Sequence, residues 1–187
     1  MAERIANLPD IDCIYSDESA RVDEVAKDPV FKPDFNLDLM RSYPYVGRAL
    51  AFSCERVKFL GGFSAAFGEL APQDMLWRMV ESRGPQAIEH IAEMQLSSSL
   101  SFSEWLSCSE VSKGSSRLLE AHLQRLGVAY SLRSESCELI NRVDYSSDSE
   151  PMVSFVIHAG NRLLDLQRCV ETLLERTAYS RYEILIV

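Results

Sequence analysis

An α/β fold is predicted for this chain, and three neighbouring stretches predict it. Met152, Val153, Phe155, Val156 and Ile157 form a β-branched apolar run bounded by Pro151 and by Ala159, Gly160 and Asn161, which reads as a buried strand ending in a turn. Between positions 162 and 176, apolar residues fall at Leu163, Leu166, Val170, Leu173 and Leu174, the three-and-four spacing of one helical face. Arg168, Glu171 and Glu175 lie mostly on the other face. Residues 182–187 then make a second strand, nearly continuous in apolar character, as strands covered on both faces of a parallel sheet are. Two parallel strands are too few for a stable sheet, and open α/β sheets bind ligands just past the carboxyl ends of their strands.

The rest of the chain follows the same alternation. Residues 1–8 suit the last turns of a helix closed by Pro9. Residues 11–15 form a short strand, with Ser16, Asp17 and Glu18 at its carboxyl end. There the two acids are either functional groups or a turn with solvated carboxylates. Residues 22–33, polar and carrying Pro29 and Pro33, predict a loop. A short helix over 34–41 and a strand over 46–54 come next. Two helical turns over 55–60 stop at Gly61 and Gly62, where glycine supplies the left-handed conformation. Pro72 starts another helix with Asp74 in its first turn. The serine-rich segment 97–103 predicts a surface loop. Residues 114–127 form an amphipathic helix, with Leu118, Leu119, His122, Leu123 and Leu126 on one side and Gly127 as its stop. Two short strands over 128–143 suit a small hairpin, and 144–150 is a polar linker.

Composition excludes several function classes. A formal net charge of -9 argues against a nonspecific nucleic-acid binder, which needs a basic face to replace phosphate counterions. No apolar run approaches the roughly 20 residues that span a bilayer, and no basic-then-apolar signal opens the chain, so a cytoplasmic protein is expected. Cys13, Cys54, Cys108, Cys137 and Cys169 are scattered without a CxxC pair. They read as reduced, buried, inert thiols, not as disulfides or metal ligands.

The order of motifs resembles family 2 glycosyltransferases of the GT-A type. Ile14 to Glu18, then Phe31, Lys32, Pro33, Asp34, Phe35 and Asn36, then Asp38, Leu39, Ser42, Tyr45, Gly47, and finally Gly61, Gly62 and Phe63 are similar to the second half of that catalytic domain. Its bacterial members run YSDED, FKPDW, NYIG and GGF, and over 31–63 the spacing matches without a gap. Residues 151–187 resemble the beginning of the same domain, which reads VSIIIPTRN, RRCLESLLERT and YEILIV. Residues 114–128 resemble the helix that links tandem domains. The resemblance implies GT-A-like, Rossmann-related partial domains joined by a helical linker. The end of one domain falls over 1–96, a linker over 97–150, and the start of a second domain over 151–187, as in a fragment of a longer tandem-domain enzyme.

By resemblance the activity is transfer of a sugar from a nucleotide-sugar donor to a glycan acceptor in bacterial surface polysaccharide synthesis. Such chemistry needs a carboxylate base for the acceptor hydroxyl and a divalent cation, Mg2+ or Mn2+, or basic donors for the leaving diphosphate. The family's acidic metal motif has no counterpart in this chain, so no residue here is assigned as a metal ligand and the isolated chain is expected to be inactive. The family's base lies in a motif like SQDYDLLLR. Matching its QD to Gln73 and Asp74 makes Asp74 the base. A gapless count from Gly61 puts Pro72 there instead, leaving Asp74 to charge the first turn of its helix. Asp17, Glu18, Lys32 and Asp34 carry the acceptor-side or structural motifs. His90 fits the first histidine of a strand like HIPEVLYHWR, whose second histidine falls on Ser97. Asn161 and Arg162 match the donor-binding turn, and His158 replaces its proline. A degenerate, non-catalytic module that binds glycan or a subunit is the competing expectation. Unpaired strand edges predict self-association in either case.

Overall fold

The computed structural model describes residues 10–22, 25–134, 139–146 and 149–187 of the chain. The helical turn expected over 1–8 lies outside them, as does Cys137. The fold is mixed α/β and divides into two compact units after Ser146.

In the first unit a sheet is built on β1 (Cys13–Val22). β2 (Val25–Val30) and β3 (Leu50–Phe52) lie antiparallel to β1, and β4 (Ile88–Ser98) lies parallel to it. Two expectations are corrected here. The segment over 22–33 is in large part a strand, not a loop. β2 pairs only with β1, and at such an edge Pro29 costs no ladder bond. Asp17 and Glu18 are not a solvated turn. β1 runs on past them, and the two residues are 3% and 2% exposed. The pairing with β4 shifts register between Ser16 and Asp17 and again between Asp17 and Glu18. These irregularities re-aim consecutive side chains within one strand. β4 likewise runs through Ser97 and Ser98, so the serine-rich loop shrinks to the residues just before Phe102.

Helices cover this sheet. α1 (Leu37–Ser42) is capped by the Asn36 side chain and α2 (Cys54–Phe59) by Ser53. A 3-10 segment (Ala65–Leu70) leads into α3 (Ala71–Arg83), with Pro72 in its first turn. Every position of α3 from Gln73 to Val80, bar Arg78, is buried. Met75, Leu76, Trp77 and Met79 join Tyr15, Tyr45, Val46 and Trp105 in the core. Each large apolar side chain so buried contributes about 1.5–3 kcal/mol. α4 (Phe102–Ser107) opens with a capping box formed by Ser101 and Glu104. α5 (Ser109–Leu126) is longer than its sequence signal, because Val111 already packs inward ahead of the predicted start at Gly114. It buries Leu118, Leu119, His122 and Leu123 and ends at Gly127 with φ 65°. β5 (Tyr130–Ser134) and β6 (Asn141–Tyr145) form the expected antiparallel hairpin, and the strand takes in the first residues of the predicted polar linker. Asn141 ties the hairpin to α5 through Ser115 (2.9 Å) and Ser116 (2.6 Å).

The second unit consists of β7 (Val153–Ile157), α6 (Leu163–Arg176) and β8 (Tyr182–Ile186), with the two strands parallel and in register from Val153 opposite Tyr182. The strands are not covered on both faces as their apolar runs predict. Val156 is 64% exposed and Ile186 55%, since one helix and two strands cannot enclose a core.

Candidate functional site

The irregular stretch of β1 gathers the motif residues of the first unit. His90, opposite Tyr15 in the β1–β4 ladder, stacks on its ring at 4.7 Å. Its Nε2 is 2.9 Å from Asp17 Oδ1 and its Nδ1 is 3.2 Å from Asp34 Oδ1. A neutral imidazole has one N–H, so only the imidazolium donates to both acids. Asp17 Oδ1 also accepts the Lys32 backbone N–H at 2.9 Å. The Tyr15 hydroxyl donates to the Pro33 carbonyl at 2.6 Å, and the Tyr45 hydroxyl accepts from Asn36 N–H at 2.7 Å. The Phe-Lys-Pro-Asp-Phe segment is thus pinned across β1 by side chains from three elements. Burial pushes the Tyr15 phenol well above its ordinary range, and its contact with Tyr45 adds to this.

Behind this cluster lies a dry ion pair. Lys32 Nζ donates to the Val46 carbonyl at 2.9 Å and stands 3.7 Å from Glu18 Oε1. Burial pulls the Lys32 ammonium below its ordinary pKa, against the opposing pull of Glu18 and Asp17. Both Glu18 oxygens are buried without a hydrogen-bond partner. Gly47, at φ 75°, closes the pocket. A Cβ there would stand 2.8 Å from Lys32 Nζ and 3.1 Å from Glu18 Oε1. The Gln73 amide donates to the Gly47 carbonyl at 2.6 Å.

Asp74 faces elsewhere. Its carboxylate lies in the seam between α3 and α5, 3.0 Å from Arg78 Nε and 3.2 Å from Arg125 Nη1. Its side chain is 2% exposed. Arg78 also donates to the Leu60 and Gly62 carbonyls, both at 2.7 Å, so one guanidinium joins Asp74 to the Gly61-Gly62 turn. Arg125 in turn grips Glu81 through Nε at 2.7 Å and Nη2 at 3.0 Å. His122 Nδ1 reaches the same acid at 2.7 Å, and the ring stacks on Trp77 at 3.8 Å. Burial raises the Glu81 carboxyl, but hydrogen bonds from His122 and Arg125 outweigh it and hold the pKa below the ordinary range.

In the second unit His158, Asn161 and Arg162 are exposed between the end of β7 and the start of α6. Arg162 is paired with Asp165 at 3.4 Å. Nothing in this unit packs over the three. The structure therefore brings Asp17, Glu18, Lys32 and Asp34 together around His90 and Gly47, and sets Asp74 apart from them. Sequence reasoning did not single out Gln73, Arg78 or Arg125 for these roles. The i,i+4 spacing of Asp74 and Arg78 is a legible signal, whereas Arg125 reaches Asp74 only through tertiary packing. Among the described residues, no three His, Cys, Asp or Glu side chains come together to hold a metal ion, and no helix is long and apolar enough to cross a membrane.

The cysteines depart from expectation. Cys13 is buried, its thiol pushed well up by burial and by Asp12, but Cys54, Cys108 and Cys169 are exposed.

Among known proteins, the chain is similar to uncharacterized protein y4gI of Sinorhizobium fredii, with 29% identity over 185 residues. It is also similar to O-antigen biosynthesis protein RfbC of Myxococcus xanthus, with 29% identity over 184 residues. Each similarity covers 96% of this chain, and so runs through both units. The chain spans 20% of the length of the first relative and 14% of the second. No protein-family profile and no solved structure matches it.

Proposed function

We propose that this chain is part of a family 2-type, GT-A-like glycosyltransferase of bacterial surface polysaccharide synthesis, one that moves a sugar from a nucleotide-sugar donor to a glycan acceptor. The observation that carries this is the similarity to an O-antigen biosynthesis protein over nearly the whole chain, through both units. The convergence of buried Asp17, Lys32 and His90 on the exposed Asp34 carboxylate supports it, because these motif residues build one polar cluster beside a cleft. In this reading Asp74 is the base that takes the acceptor proton, and His158, Asn161 and Arg162 contact the donor. Both oxygens of Asp74 are ion-paired here, so action as a base requires Arg125 to withdraw. The divalent cation of such enzymes, Mg2+ or Mn2+, finds no fitting ligand set among the described residues.

The test is transfer from radiolabelled nucleotide sugars by the longer protein, with Asp74→Asn beside it. A loss of about 100-fold or more with folding intact supports the base assignment, and unchanged transfer removes Asp74 from the mechanism. A second reading, a non-catalytic module that binds glycan or a partner subunit, is favoured by the occlusion of Asp74. Turnover by the longer protein decides between the two.

A further inference from the structure

A cleft of about 540 Å³ opens beside the His90 cluster, lined by Asp34, Phe35, Gln86, Glu89 and His90 among others. Its volume is that of a small-ligand site. Three features of this cleft bear on what it holds. The Asp34 carboxylate stands in open solvent, its side chain 99% exposed, yet His90 Nδ1 holds it at 3.2 Å. His90 is itself fixed, because its buried Nε2 edge is bonded to Asp17 and its ring face is stacked on Tyr15. An exposed carboxylate ordinarily rotates freely. This one is aimed by the buried Asp17–His90 pair, and a preorganised acceptor loses less entropy on binding.

We propose that this cleft binds a neutral monosaccharide unit of a glycan, with Asp34 accepting hydrogen bonds from its hydroxyls. A carboxylate accepts from two neighbouring hydroxyls at once, and such charge-assisted bonds are the stronger kind. The Gln86 amide adds a polar group at the rim, and the half-buried Phe35 supplies an apolar surface for the C–H face of a sugar ring. The exposed Asp34 carboxylate makes the lining acidic, which disfavours a phosphate or nucleoside diphosphate and selects an uncharged polyol. The proposal rests on the glycan-handling reading above and assigns to this cleft the acceptor side of it.

Saturation-transfer NMR on the full chain tests this, with free D-glucose, D-mannose, D-galactose and L-rhamnose as probes and no nucleotide sugar present. At least one sugar receives saturation from the protein, Asp34→Asn weakens its binding about tenfold, and Phe35→Leu weakens it as well. Asp34 is exposed, so the asparagine variant leaves the fold intact, as circular dichroism will check. Absence of transfer to all four sugars overturns the proposal, as does binding unchanged by Asp34→Asn. Because no donor is present, sugar binding by a chain or longer protein that performs no transfer upholds the cleft and counts against the transferase reading alone.

Discussion

Gly47→Ala is the substitution whose cost can be worked furthest from the structure. Gly47 sits at φ 75°, where an L-residue with a Cβ costs about 1–2 kcal/mol. The new methyl would also stand 2.8 Å from Lys32 Nζ. That atom ends a flexible side chain and can yield, but only by leaving the Val46 carbonyl it holds at 2.9 Å. Loss of a hydrogen bond to a charged group costs about 1.5–3 kcal/mol. Together these predict about 2.5–5 kcal/mol of destabilisation, before any cost of leaving Glu18 without its cation. Urea unfolding followed by tryptophan fluorescence reads this unit alone, since both tryptophans, Trp77 and Trp105, lie in it. Gly62→Ala is the control, for Gly62 has φ 82° but open space where its Cβ would be, and should lose only about 1–2 kcal/mol. If Gly47→Ala proves no more damaging than Gly62→Ala, the account of a closed pocket around Lys32 and Glu18 is wrong.

Three further outcomes are expected. Glu81 has a depressed folded-state pKa, so its contribution to stability is complete above its unfolded value of about 4.3 and is lost as pH falls through the lower folded value. Urea midpoints between pH 6 and pH 3 should therefore fall more steeply for the native chain than for Glu81→Gln. Iodoacetamide, read by peptide mass mapping, should modify Cys54, Cys108 and Cys169 in the folded chain while Cys13 reacts only on unfolding. The second unit exposes Val156, Leu164 and Ile186 on an uncompleted sheet and helix, so sedimentation should show concentration-dependent association that Val156→Lys reduces.

Much of the local architecture was legible in the amino-acid sequence. The strands and helix of the second unit fall within a residue or two of their apolar patterns, and the stops at Gly61, Gly62 and Gly127 fall where positive φ is needed. Period and left-handed turns depend on neighbours a few positions away, so the order of residues alone determines them. Which of these residues meet was decided by tertiary structure. β1 continues through Asp17 and Glu18 because β4, some 70 positions further on, pairs with it throughout, and the register shifts there turn the acids inward. Asp74 is closed off by Arg125 and Asp34 is aimed by His90, in each case by a side chain from a distant element. Hydrogen bonds and ion pairs need approach within a few ångströms, and only the packing of α5 on α3 and of β4 on β1 supplies it.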